Sequence, residues 1–226
     1  ETIKGKAARY FSGHVTVTAH TGWRIGMSDP ERVIETIKGS RLPVRTVSRR
    51  TIYYGKETRL FFGGNYIRLQ RPVGVDFDAE GKELSGLTFI EGGLESMLTP
   101  EGENGILISK TAARMLGARA GDDVTLYLVT GSGQYNTATM IVRGIFDETG
   151  IFGFAAYLRN SDLNRMLGNP PDAATEVAVY AKEGVGIAGF TEKVRLALSK
   201  NHPVFPPLLT REDYSRTRAG NRENRI

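Results

Sequence analysis

Residues 104–129, NGILISKTAARMLGARAGDDVTLYLV, decide the fold class. Ile106 to Ile108 is a short run of large aliphatic residues, the pattern of a buried strand. Ser109 follows in the N-cap position, where its hydroxyl can satisfy a free backbone N–H of the first helical turn. Ala112, Met115 and Leu116 then form a stripe at helical spacing, and Gly117 stands where a left-handed residue ends a helix. Asp122 leads into Val124 to Val129, a second strand. The polar loop TGSGQYNTA, Thr130 to Ala138, turns the chain back into a third strand, Thr139 to Phe146. Strand, short helix, strand and hairpin make a compact unit of mixed helix and strand.

Working outward toward the N-terminus, His14 to His20 (HVTVTAH) alternates with period two and predicts a strand. Asp29 and Pro30 form a cap and a first helical residue, Val33, Ile34 and Ile37 an apolar stripe, and Gly39 a stop. Val44 to Tyr54 is a further strand, Glu57 to Leu69 holds extended chain, and Val73 to Val75 and Gly86 to Ile90 are short strand-like pieces before a segment with Met97 and Leu98. Toward the C-terminus, Ala155 to Leu158 is a strand and Ser161 to Leu167 a short helix. Asn169, Pro170 and Pro171 form a linker. Glu176 to Ala181 is a strand, and Ile187, Phe190, Val194, Ala197 and Leu198 mark one face of a last helix. The β-α pairs at the two ends are alike in type, so the chain leaves one subdomain and returns to it.

Composition narrows the chemistry. The chain has 226 residues, 40% of them hydrophobic, and no cysteine, which removes thiol catalysis, disulfides and thiolate metal sites. No run approaches the roughly 20 apolar residues of a spanning helix. Both ends read as cuts through longer segments. A net charge of +5 suggests nucleic acid at first. Two of those charges, however, fall in residues 1–12 and two in the tail from residue 209, leaving the body nearly neutral. No nucleic-acid groove is expected.

Motifs for catalysis and cofactors fail in turn. His14, His20 and His202 lack a third ligand nearby in sequence. Gly131, Gly133 and Asn136 imitate a dinucleotide fingerprint, but they join two strands rather than a strand and a helix. Gly81 and Lys82 lack phosphate-loop spacing. The run DFDAEG, Asp76 to Gly81, copies the first half of a calcium loop, yet its twelfth position is Leu87 where a bidentate Glu is required. A solvated acidic turn is expected there, and no metal, cofactor or catalytic residue is assigned.

Several passages in order resemble the periplasmic core domain of MacB-type ABC transporter permeases, a group that includes FtsX, and most of all its lipoprotein-releasing LolC/LolE branch. GHVTV at Gly13 to Val17 resembles the strand after the family's first membrane helix. PVGVDFDAEGKELSGLTFIEGG, Pro72 to Gly93, resembles its acidic and glycine-rich segment, and the 104–129 passage its strand, helix and strand block. VRGIFDETGIFGFAAYLRNSDLNRMLG, Val142 to Gly168, and LLTREDY, Leu208 to Tyr214, resemble the later blocks. The resemblance implies a two-part α+β fold, with a Porter-like subdomain from residues 1–72 and 171–226 and a Sabre-like subdomain inserted at 73–170. It implies a non-catalytic domain outside the inner membrane, coupling ATP-driven motion to lipoprotein release or substrate export. The implied partners are a second permease subunit, a cytoplasmic ATPase, and a lipoprotein, periplasmic carrier or membrane-fusion protein, with the isolated domain a monomer. In the LolC branch the corresponding hairpin is a long hook that grips the carrier, and Thr130 to Ala138 is shorter.

Candidate contact residues follow. Gly131 and Gly133 free the backbone of the hairpin tip, and Gln134, Tyr135 and Asn136 supply adaptable hydrogen bonds and one aromatic anchor. Phe152 and Phe154 in GIFGF are a second candidate. The competing function is a soluble hydrolase or transferase whose site is assembled from scattered residues in a deep pocket.

Overall fold

The computed structural model describes residues 13–21, 24–27, 29–55, 57–147 and 155–202. In chain order the strands are β1 (Val15–Thr18), β2 (His20–Thr21), β3 (Arg24–Ile25), β4 (Val44–Ile52), β5 (Arg59–Phe62), β6 (Asn65–Arg68), β7 (Arg71–Val75), β8 (Phe89–Gly92), β9 (Gly105–Ser109), β10 (Asp123–Val129), β11 (Tyr135–Phe146), β12 (Ala155–Arg159) and β13 (Glu176–Ala181). The helices are α1 (Pro30–Gly39), α2 (Phe77–Leu84), α3 (Glu95–Leu98), α4 (Lys110–Leu116), α5 (Asn160–Leu167) and α6 (Ile187–Ser199). No described helix is long and apolar enough to cross a membrane.

One large mixed sheet organises the molecule, in the order β1-β13-β4-β7-β12-β9-β11-β10-β5-β6, with β8 pairing to β11 off that path. Local chemistry explains the helices that flank it. The Asp29 carboxylate accepts from the Arg32 N–H at 3.0 Å ahead of α1. The Ser109 hydroxyl accepts from the Ala112 N–H at 3.2 Å ahead of α4. Each such cap contributes about 1 kcal/mol. Gly117, at φ 75°, ends α4 in the left-handed conformation.

Three apolar clusters fill the space between sheet and helices. In the first, Val47, Val177 and Val179 meet Ile34 and Ile37 of α1 and Phe190 and Val194 of α6. This cluster joins residues between Val15 and Val47 to residues between Val177 and Leu198. In the second, Leu126, Met140, Ile106 and Leu158 meet Leu116 of α4 and Leu163 of α5. Leu60 and Ile67 of the β5–β6 hairpin belong to it too, because β5 pairs with β10. In the third, on the opposite face, Val73, Leu107 and Tyr157 meet Phe77 and Leu84 of α2 and Met97 of α3.

Two expectations change. The acidic run 76–81 is not a solvated turn: Asp76 caps α2, accepting from the Ala79 N–H at 3.3 Å, and the run continues as helix. The returning strand of the hairpin starts at Tyr135 rather than Thr139, since seven residue pairs from Val129↔Tyr135 to Asp123↔Ile141 lie in register. The alternation of Tyr135, Thr137 and Thr139 with Ala138 and Met140 is the strand signal inside the polar stretch.

Candidate partner-docking face

The hairpin of β10 and β11 closes over residues 130–134. Its turn is braced by its own groups. Thr130 N–H donates to the Gln134 carbonyl at 2.7 Å, Gly133 N–H to the Thr130 carbonyl at 2.9 Å, and Gln134 N–H to the Thr130 hydroxyl at 3.1 Å. Gly133 sits at φ 83°, a conformation costly for a residue with a Cβ. Further down, the Tyr53 hydroxyl donates to the Val129 carbonyl and holds the base of the turn.

Gly131, Gly133, Gln134, Tyr135 and Asn136 therefore share one hairpin, with different roles. Gln134 is exposed, and Tyr135 is 73% exposed. Asn136 points the other way along the pleat and donates from its amide to the Met166 carbonyl at 2.8 Å. It ties the hairpin to α5 and is not an adaptable contact. Phe152 and Phe154 lie outside the described residues.

Tyr135 is not an isolated anchor. Its ring stacks on Tyr127 of β10 with centroids 5.6 Å apart and an interplanar angle of 25°. Tyr127 meets Phe61 of β5 edge-on at 6.3 Å, and Phe61 meets Tyr66 of β6 at 5.6 Å. The Arg59 guanidinium lies 5.6 Å from the Tyr66 ring centre, and Tyr66 is 60% exposed. Four aromatic rings thus cross four adjacent strands on the sheet face opposite the second core cluster. Helices α2 and α3 cover that side of the sheet only nearer its middle. Neutral threonines, Thr137 and Thr139, lie beside the rings and are exposed. Aromatic rings and arginine are the residues enriched at protein interfaces. The sequence showed Tyr135 alone, although the Gly63-Gly64 pair between Phe62 and Asn65 was a hairpin signal that would have set Phe61 beside Tyr66.

A second concentration of chemistry lies inside. Arg50 of β4 and Glu80 of α2 are both fully buried and form an ion pair at 2.7 Å. Arg50 also donates to the Tyr180 hydroxyl at 2.6 Å. Burial alone would lower the Arg50 pKa, but the adjacent Glu80 charge overrides it and keeps the guanidinium charged. Burial pushes the Glu80 carboxyl up while Arg50 pulls it back. One helical turn on, Glu83 accepts from Arg45 Nε at 2.8 Å and from the Thr46 hydroxyl at 2.8 Å. Glu80, within the imitation calcium run, and Glu83, two residues beyond its end, are therefore clamps that fasten α2 to β4. Nearby, Glu176 is 7% exposed, and burial pushes its carboxyl up to about 7 against the pull of Arg50 and Arg71.

Shifted groups of this kind also mark catalytic sites. An open cleft of about 350 Å³ does lie where the parallel strands β7 and β12 end, lined in part by Arg49, Asp76, Arg159 and Asp172. None of Glu80, Glu176 and Tyr180 lines it. The shifts of Glu80 and Glu176 arise from burial between sheet and helix. Among the described residues no group of three or more His, Asp or Glu side chains could hold a metal ion. His14 Nδ1 accepts from the Ala181 N–H at 3.0 Å, and His202 Nε2 lies 3.0 Å from the Thr36 hydroxyl.

No protein-family model matches the chain, and no curated protein matches it. Among solved structures it is similar to the periplasmic region of MacB from Actinobacillus actinomycetemcomitans, with 15% sequence identity and a TM-score of 0.55, over 100% of this chain and 98% of that one. At that identity the likeness is one of fold. The chain has the α+β fold of that periplasmic region.

Proposed function

We propose that this chain is the extracytoplasmic domain of an ABC transporter permease, closest to the lipoprotein-releasing LolC/LolE branch, and that it couples ATP-driven motion to lipoprotein release or substrate export across the cell envelope. The observation that carries the proposal is end-to-end fold similarity to the periplasmic region of MacB. The ordered resemblance of five sequence passages supports it independently. Residues 1–72 and 171–226 form the part that transmits motion, and residues 73–170 the inserted part that presents the docking hairpin. The β5–β6 hairpin, before the residue 72 division, packs with that inserted part. The domain itself performs no catalysis, and the partners are a second permease subunit, a cytoplasmic ATPase, and a lipoprotein, carrier or membrane-fusion protein.

The hairpin and its aromatic face supply the contact surface. Exposed Tyr135 and Tyr66 cost nothing to the core, and their rings are held in place by neighbours, so little entropy is lost on binding. The test is purification of the full-length protein from detergent-solubilised membranes. Recovery of an ATP-binding subunit, with ATPase activity that falls when Tyr135→Ala is introduced, is the expected outcome. A full-length protein that neither associates with an ATPase nor contains one contradicts the proposal.

A further inference from the structure

Strand β6 ends the sheet, and its backbone there is open. The β5–β6 hairpin turns on Gly63 and Gly64, both at positive φ, with Phe62 opposite Asn65. In such a two-residue hairpin every second residue faces the neighbouring strand. The Leu69 N–H donates to the Thr58 carbonyl at 3.0 Å, which sets the parity: Asn65, Ile67 and Leu69 turn their backbone groups inward to β5. The N–H and C=O groups of Tyr66 and Arg68 therefore point outward, and among the described residues nothing bonds to them. Protected sheet edges carry charge or a bulge that discourages pairing. This one carries one exposed cation and is continuous with a row of rings.

The same two residues put their side chains on the aromatic face. Register places Arg68 beside Arg59, then Tyr127, then Thr137, in one row across the sheet. Tyr66 stands beside Phe61, then Thr125, then Thr139, in the next. Glu57 pairs with Arg59 at 2.7 Å, whereas Arg68 is exposed and has no ion-pair partner among the described residues. A strand added outside β6 would lie about 4.8 Å away. Its residue opposite Arg68 meets an unneutralised guanidinium, and its residue opposite Tyr66 meets an aromatic ring. Cross-strand pairing favours an acidic side chain in the first position and an aromatic or β-branched one in the second.

We propose that β6 is a strand-addition site: an extended segment of another protein, with an acidic residue opposite Arg68 and an apolar residue opposite Tyr66, joins the sheet at this edge. Main-chain bonds to Tyr66 and Arg68 hold it, and the two side-chain positions select it. The site shares Tyr66 with the aromatic docking face but lies at the sheet edge, away from the hairpin tip, and it does not depend on the transport reading. It is also open to a second copy of this chain, but a copy of β6 brings Arg68 rather than a carboxylate.

The probe is a fluorescein-labelled heptapeptide, VTYTETV, titrated with the 226-residue chain and followed by fluorescence anisotropy. Saturable binding is expected, weakened at least about tenfold by changing its Glu to Lys (roughly 1.4 kcal/mol). A comparable loss is expected when alternate backbone nitrogens of the peptide are methylated so that they cannot pair. Arg68→Glu should reverse the preference between the two peptides, with circular dichroism and the melting curve checking that the variant folds. If that variant does not fold, the peptide pair and the methylated probe decide the matter on the unaltered chain. Equal binding of the methylated peptide, equal binding of the Glu and Lys peptides, or no binding by any peptide at about 1 mM overturns the proposal. So does sedimentation showing a dimer of the chain, sealed at β6, that the peptide does not dissociate.

Discussion

Glu176→Gln is the substitution with the sharpest expected consequence for stability, because it keeps the shape of a buried carboxyl and removes its charge. Glu176 opens β13 opposite Arg50 and is 7% exposed. Burial raises its pKa from 4.5 to about 7, with Arg50 and Arg71 opposing the rise and Glu80 adding to it. In the unfolded chain the group ionises near 4.5, so between that pH and about 7 the native state binds a proton that the unfolded state lacks. Stability from this group is thus present in full below the unfolded pKa and is lost as pH rises through the folded one. The rise in pKa, at roughly 1.4 kcal/mol for each tenfold change in proton affinity, amounts to about 3 kcal/mol above pH 7. The glutamine variant does not titrate. Urea unfolding of both proteins at several pH values is the assay. Near pH 4 the two should be equally stable, and by pH 8 the variant should exceed the parent by up to about 3 kcal/mol. A stability difference that does not change between pH 4 and 8 would refute the assignment of Glu176 as a buried, charge-penalised group.

Other expectations follow from the same geometry. Arg50→Met leaves Glu80 buried beside no cation and should cost about 3–5 kcal/mol, while adding Glu80→Leu should restore much of it, read by the same urea transitions. Leu126→Ala in β10 empties part of the second core cluster and should cost about 2–5 kcal/mol in a melting or denaturant experiment. Tyr135→Ala removes an exposed ring and should move the melting temperature by no more than a degree or two, yet weaken partner or cargo transfer in the intact transporter. A variant that melts several degrees lower would show that Tyr135 serves packing instead.

The elements legible in the sequence are those written in local chemistry. The cap at Ser109, the stop at Gly117 and the aliphatic run between Asn104 and Ser109 all act within a few residues, and the strand and α4 lie where those signals put them. Helix α2 was hidden for the opposite reason. Its carboxylates Glu80 and Glu83 look solvent-facing until Arg50 and Arg45, from a strand some thirty residues earlier, arrive to pair with them. Gly81 interrupts the helical pattern as well, but it sits beneath Leu98, where an added Cβ would come within 3.2 Å. The aromatic face was only partly visible. Tyr135 stood out at a turn, while Phe61 and Tyr66 join it and Tyr127 only through the β5–β10 pairing, which no local pattern specifies.

The central claim places this domain outside the cytoplasmic membrane in the intact transporter, and the absence of cysteine makes the claim directly measurable. Thr137 is exposed on the docking face, so Thr137→Cys in the full-length protein gives this domain a single thiol without disturbing the core. Spheroplasts carrying that variant are treated with a membrane-impermeant maleimide before and after lysis. The account predicts full labelling before lysis, with ATP depletion changing its rate as the domain is moved. Labelling that occurs only after lysis would place the domain in the cytoplasm and contradict the account.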